Sequence, residues 1–315
     1  MDQPAAIVVS GLSKHFGEVR AVDALSFEVR AGEIFGLVGP DGAGKTTALR
    51  MLAGVLAADS GGARVAGCDV VRDPEGAKHH LSYMSQRFGL YEDLTVDENL
   101  RFYADLFGVR RAQREPRARE LLAAAGLSEF RGRLAGNLSG GMKQKLGLVC
   151  ALIHTPQVIL LDEPTNGVDP VSRRDFWRIL YSLVSEGVAI LTSTSYLDEA
   201  DRCHRVGLIY RGHMLYCDTP AGLKEKFPGE ILEVFSPQPG QVREALAGAP
   251  GVSSALLVGD RVHLFVDRAA LRLADLRGRL DAAQVPYESI QPMAPTMEDV
   301  FVSAVEREPA ETKVS

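Results

Sequence analysis

Ile34-Phe35-Gly36-Leu37-Val38 runs without a break into Gly39-Pro40-Asp41-Gly42-Ala43-Gly44-Lys45-Thr46-Thr47. The first five residues are an apolar run of strand length, and the glycines after them turn the chain toward a helix. A strand that is apolar on both faces must be covered on both faces, which is the situation of a parallel sheet flanked by helices. Two later segments supply neighbours for it. Val158–Leu161 and Val188–Leu191 are further buried-strand patterns, separated by Phe176, Ile179 and Leu180 at helical spacing. The first part of the chain is therefore predicted to be α/β.

Before the glycine loop, Ile7–Val9 and Leu25–Val29 read as short strands between glycine-rich turns. Leu100, Tyr103 and Phe107 fall at helical spacing and open a helical insert over about 88–152. Phe227-Pro228-Gly229 changes the punctuation, so the first domain is expected to span 1–228. A small α+β domain is expected over 229–308. It reads as strand Ile231–Phe235, helix Gln241–Ala247, strand Ser253–Val258, a turn at Gly259-Asp260, strand Val262–Val266 and helix Leu271–Ala283, closed by one more strand and a helix. The polar residues 309–315 are expected to form a flexible tail.

Composition narrows the class. The 315 residues are 46% hydrophobic and 24% charged, an ordinary globular profile. A net charge of −6 and a pI near 5.7 argue against a surface dedicated to nucleic acid, which would carry a basic footprint. Cys68, Cys150, Cys203 and Cys217 lack CxxC spacing, so they read as reduced thiols rather than disulfides or zinc ligands. No apolar run approaches the roughly 20 residues that cross a bilayer, and the acid at Asp2 without a basic leader segment does not fit a signal peptide. A cytoplasmic location is expected.

Gly39 to Thr46 satisfy GxxxxGK[ST] between a strand and a helix. In that context the glycines let backbone amides curl around a phosphate chain, and the helix adds its positive N-terminal end. Lys45 is expected to reach the β- and γ-phosphates, Thr46 to ligate Mg²⁺, and Thr47 to add a hydroxyl nearby. Gly39, Pro40, Asp41, Gly42, Ala43 and Gly44 form the cradle. The apolar run at Val158–Leu161 ends in Asp162-Glu163, which puts two carboxylates at the C-terminal edge of the sheet beside the loop. Asp162 is expected to orient the metal, and Glu163 to act as base toward an attacking water.

Leu138-Ser139-Gly140-Gly141-Met142-Lys143-Gln144 resembles the LSGGQ-type signature of ABC ATPases. Ser139 and the amides of Gly140 and Gly141 open a helix and offer donors to a phosphate. The resemblance covers about residues 5–220 and implies a P-loop NTPase (RecA-like) ABC ATPase core with a helical subdomain, followed by the small α+β domain. Phe16 resembles the aromatic residue that stacks on adenine, Gln86 the glutamine that links the γ-phosphate and metal to a transmembrane partner, and Asn166–Asp169 the loop that crosses a dimer interface. Gly89–Leu100 and Pro295–Val305 extend the likeness to ABC-2 type drug, antibiotic and lipid exporters. The family resemblance implies ATP and Mg²⁺ as ligands, a second ATPase subunit as a homodimer or heterodimer partner, and a separate transmembrane permease holding the chain on the cytoplasmic face of the membrane. It further implies ATP-driven dimerisation that powers transport, with export as the direction the subgroup resemblance favours. Tyr91 and Leu94 lie where the permease would touch, with packing inside the insert the preferred reading.

Two positions depart from the family pattern. In Thr194-Ser195-Tyr196-Leu197-Asp198-Glu199-Ala200, Ser195 stands where the family places a switch histidine. A hydroxyl is shorter than an imidazole and cannot carry its positive charge, so slow or asymmetric hydrolysis is expected. The alternative is a regulatory ATP-binding subunit paired with an active ATPase. Asp41 replaces a common asparagine and adds a negative charge near the phosphates.

Overall fold

The chain opens with strands β1 (Ala5–Phe16) and β2 (Val19–Arg30), an antiparallel pair in the computed structural model, which describes residues 4–86 and 89–308. Strand β3 (Ile34–Val38) is buried at every position, and helix α1 (Lys45–Leu52) follows the glycine loop. Strands β4 (Ser60–Val65) and β5 (Cys68–Asp69) complete a four-stranded sheet in the order β2-β1-β4-β5. Helix α2 (Pro74–Lys78) leads to β6 (Leu81–Met84).

The helical insert contains α3 (Val96–Leu106), α4 (Arg111–Ala124) and α5 (Gly140–Leu152). Thr95 and Glu98 close a capping box at the start of α3, which satisfies two otherwise orphaned amides. Asn99 is fully buried; its amide nitrogen donates to the carbonyls of Tyr91, Leu94 and Thr95, and its oxygen accepts from the Tyr91 N–H. Those bonds fix the turn before α3. Tyr91, expected to pack inside, is instead 47% exposed with its ring edge-on to Phe102 at 4.6 Å.

The chain then returns to the sheet through β7 (Val158–Asp162), α6 (Pro170–Ser185), β8 (Ala189–Thr194), the short α7 (Leu197–Ala200), β9 (Arg205–Tyr210) and β10 (His213–Asp218). The second sheet runs β10-β9-β3-β8-β7-β6 and is parallel except for β10. Leu49 and Leu52 of α1 share one core with Val9 and Phe27 of the first sheet and Leu160 and Leu191 of the second. Each such side chain contributes about 1.5–3 kcal/mol on burial. Burial pushes the thiols of Cys150 and Cys203 up, which suits inert core residues.

A second compact unit begins at Thr219, ahead of the boundary expected at Phe227–Gly229. The reason lies in its packing: α8 (Pro220–Glu225), capped by Thr219, and Phe227 belong to it, with the Phe227 ring edge-on to Phe265 at 5.0 Å. Its antiparallel sheet runs β12 (Val252–Val258), β13 (Arg261–Val266), β11 (Glu230–Phe235) and β14 (Ser289–Met293). Helices α9 (Pro239–Leu246) and α10 (Ala269–Ala282) supply Val242, Leu246, Leu276 and Leu280 to a core with Leu232, Val234 and Leu264. The expected tail, 309–315, lies outside the described residues.

Period-2 alternation sends Glu233 and His263 to the other face of that sheet, toward α11 (Met297–Glu306). His263 Nδ1 lies 2.7 Å from Asp299 Oδ1 and its Nε2 lies 3.7 Å from Glu233 Oε1, with His263 3% and Asp299 0% exposed. Asp299 also closes a capping box with Thr296. Burial works against the charged imidazole, but the Asp299 hydrogen bond and charge, with Glu233 and Glu298 nearby, outweigh it and hold the His263 pKa above its ordinary value. Burial likewise raises Asp299, and the bonds from His263 and Thr296 overcome it to hold that carboxyl below its ordinary value. The histidine contribution is complete below its unfolded pKa of roughly 6.5 and is lost as pH rises through the folded value; the aspartate contribution is complete above roughly 3.9 and is lost as pH falls. The second unit is therefore expected to be most resistant to unfolding between these limits, and Asp299→Ala to cost about 3 kcal/mol. Denaturant titrations from pH 4 to 9 check both, and a flat pH profile shared by native protein and variant would contradict the pair.

Candidate active site

Register creates the site. Val38 pairs with Thr194 across β3 and β8, and Asp162 pairs with Ser193 across β7 and β8. Three strand ends are thus level at one edge, where open parallel sheets bind their ligands. The loop after β3 leaves no room for side chains at two glycines. A Cβ on Gly39 would lie 2.1 Å from the Ile209 carbonyl oxygen, and one on Gly44 would lie 2.2 Å from that of Ala21. Gly44 also has φ +103°, a conformation that favours glycine, as it starts α1.

Lys45 is 4% exposed, and its Nζ donates to the carbonyls of Gly39 (2.7 Å) and Pro40 (2.9 Å) while pairing with Glu163 Oε1 at 3.1 Å. A buried ammonium held by three oxygens is positioned as well as charged. Val19–Ala21, Asp41–Thr47, Gln86 and Glu163 line one cleft of about 410 Å³ around it, a size within the range of small-molecule sites.

Asp162 is 1% exposed. Its Oδ1 accepts from Thr46 Oγ1 (3.0 Å) and Ser193 Oγ (2.8 Å), and its Oδ2 accepts from Tyr83 OH (3.2 Å). Burial, then the adjacent Asp162 charge, pushes the Tyr83 phenol up to about 12, so it remains a donor at neutral pH. Thr46, Asp162 and the cleft-lining Gln86 are hard oxygen donors, a set that fits Mg²⁺ with several of its waters retained. Glu163 follows in a left-handed conformation, φ 48°, and its N–H donates to Ser193 Oγ at 3.0 Å. Its Oε2 accepts from Asn166 Nδ2 at 3.4 Å, and the Asn166 oxygen accepts from Tyr196 OH at 3.3 Å. Positive φ at a non-glycine residue is strained and persists where surrounding bonds enforce it.

The remaining residues lie apart from this cleft. Ser139 caps α5 by accepting from the Met142 N–H at 3.3 Å, and neither it nor Gly140 or Gly141 lines the cleft of its own chain. Gly141 also has a packing reason, since a Cβ there would lie 2.3 Å from Ser172 Oγ. Phe16 ends β1, 52% exposed, opposite Val19 of the cleft wall. Ser195 follows β8 and is half-buried. Sequence reasoning passed over Ser193, Tyr83 and Glu199. The hydroxyl run Thr192-Ser193-Thr194 at a buried strand end was the available signal for the first.

The ABC transporter family profile matches residues 22–166. The chain is 47% identical over 304 residues to the probable multidrug ABC transporter ATP-binding protein YbhF of Escherichia coli, covering 95% of this chain and 52% of that protein. It thus spans about half the length of that relative. Over 306 residues it is 37% identical to the Nod factor export ATP-binding protein I of Paraburkholderia xenovorans, covering 96% of this chain and 98% of the other. A solved ATP-binding subunit of an ABC transporter superposes with a TM-score of 0.65 at 29% identity, over 70% of this chain and 93% of that one. The glycine loop, the acidic strand end and these likenesses together establish that the chain belongs to the family of ABC transporter ATP-binding proteins.

Proposed function

We propose that the chain binds ATP with Mg²⁺, hydrolyses it, and powers export through a separate ABC-2 type permease. The observation that carries this reading is the cleft shared by Lys45, Thr46, Gln86 and Glu163, with Asp162 bonded to Thr46 behind it. The names of the multidrug and Nod factor export relatives support the direction of transport.

Amides of residues 39–47 and the Lys45 ammonium would hold the phosphate chain, with Phe16 against the base. A magnesium ion, held by Thr46 and Gln86 with Asp162 orienting its water shell, would neutralise charge developing on the phosphates. Glu163 would accept the proton of the attacking water, with Asn166 fixing one carboxylate oxygen. Ser195 would offer a hydroxyl toward the γ-phosphate. Ser139, Gly140 and Gly141 would close over the nucleotide of a second ATPase subunit, so that ATP joins two chains head to tail and hydrolysis releases them. The absence of these three from their own chain's cleft supports that arrangement. No helix among the described residues is long and apolar enough to cross a membrane. In this reading a permease partner would hold the chain at the cytoplasmic face. The exposed Tyr91–Phe102 pair, fixed beneath by Asn99, is the proposed contact with it, and the unit from Thr219 is proposed as an accessory module.

Single-turnover Mg²⁺-ATP cleavage tests the catalytic reading. Glu163→Gln is expected to slow it by about 10²-fold or more, the usual contribution of a general base, and Ser195→His to accelerate it. Native turnover in Glu163→Gln would contradict the assignment. A native chain that binds ATP but cleaves it only as Ser195→His would favour the regulatory-subunit reading. For the permease contact, Tyr91→Ala with Phe102→Ala is expected to reduce co-purification of a co-expressed permease while leaving the chain's basal ATPase rate unchanged. Undiminished co-purification would place the contact elsewhere.

A further inference from the structure

Glu199 is a carboxylate with 1% exposure, and the catalytic reading above gives it no task. It lies on α7, four residues beyond Ser195, and collects donors from three elements. Its Oε1 accepts from Thr165 Oγ1 at 2.6 Å and Trp177 Nε1 at 3.3 Å, and its Oε2 accepts from Thr194 Oγ1 at 2.8 Å. Arg173 Nε lies 3.6 Å from Oε1, and the Arg173 guanidinium covers the Tyr196 ring at 4.4 Å. A buried carboxylate that only accepts bonds, beside an arginine, is compensated and rigid.

The two threonines matter by position. Thr165 adjoins Asn166, whose amide donates to Glu163 Oε2; Thr194 adjoins Ser195 and also accepts from the Tyr196 N–H at 3.0 Å. Tyr196 in turn donates to Asn166. Glu199 therefore joins the segment after the catalytic strand to the segment after β8 from behind, and Tyr196–Asn166–Glu163 joins them in front.

We propose that Glu199 is a positioning residue for hydrolysis: its carboxylate, shared by Thr165 and Thr194, braces the Asn166 loop against the Ser195 segment and so sets the orientation of Glu163. This rests on Glu163 being the base. The brace supplies a fixed geometry beside Ser195, whose side chain is shorter than an imidazole. Misplacing a catalytic group by about 1 Å is enough to slow a reaction by up to about 10²-fold, whereas the phosphate cradle at Gly39–Thr47 lies on another loop and keeps its affinity.

Steady-state and single-turnover ATP cleavage by the full chain tests this in Thr165→Val, Thr194→Val, Thr165→Ser, Glu199→Gln and Glu163→Gln, with thermal midpoints measured alongside. The valine variants keep the shape and lose the hydroxyl; each is expected to lower kcat about tenfold with KM for ATP within about twofold, and the double variant to add little to either. Thr165→Ser restores the donor and is expected to recover the native rate, and Glu199→Gln to fall with the valine variants. Native kcat in both valine variants overturns the brace and leaves Glu163 as base, provided Glu163→Gln is inactive. A parallel fall in kcat, ATP affinity and thermal midpoint, with no recovery in Thr165→Ser, reduces Glu199 to a packing role and also overturns it. A Glu163→Gln variant as active as native protein removes the base assignment itself, and the proposal with it.

Discussion

Asp162 stands opposite Ser193, and Val38 opposite Thr194, in a parallel sheet whose central strands are buried at every position. Everything at the candidate site depends on that register. Side chains alternate along a strand, so a slip of one residue would turn Asp162 away from Thr46 and Ser193 and present Leu161 in its place. The apolar burial on both faces holds the register, because any slip would also expose or misplace Ile159, Leu160, Ile190 and Leu191, all fully buried. Packing and chemistry are therefore not separable here: the hydrophobic runs set the level at which the polar ends meet.

What meets at that edge is a set of hydroxyls and carboxylates rather than imidazoles. Thr46, Ser193 and Tyr83 all donate to Asp162, and Ser193 also accepts from the Glu163 N–H. Buried carboxylates need such donors, since an unpaired charge in that environment is costly. The left-handed backbone of Glu163 is held by the same Ser193. The site is thus already rigid in its polar framework, and the buried Lys45 ammonium gives it a fixed positive centre.

Local signals made the phosphate loop, the acidic strand end and most elements of both units legible in the sequence. Glycines at 39 and 44, an apolar run ending in acids, and alternation in β11 to β13 each declare themselves within a few residues. Long-range partners did not. Tyr83, Ser193 and Glu199 acquire their contacts only when strands distant in sequence are brought level, and a single tyrosine, serine or glutamate has no pattern to announce that. The boundary moved to Thr219 for the same reason, since Phe227 finds Phe265 only in the folded unit. The segment Pro295–Val305 was legible as a family likeness without a physical cause. The structure supplies one: Thr296 and Asp299 cap α11, and Asp299 is buried against His263. Ser139 and the glycines after it carried a ligand reading that one chain alone does not complete, and Gly141 turns out to be demanded by Ser172 as well.

The central claim is that Thr46 and Asp162, brought together by strand register, form the metal-dependent part of a nucleotide site. Calorimetric titration of ATP into native protein and Asp162→Asn, each with Mg²⁺ and with a chelator, measures this directly. Mg²⁺ is expected to tighten ATP binding by about tenfold in native protein, equivalent to about 1.4 kcal/mol. Asp162→Asn should lose that gain while retaining the affinity measured in chelator. An equal gain from Mg²⁺ in both proteins would contradict the account.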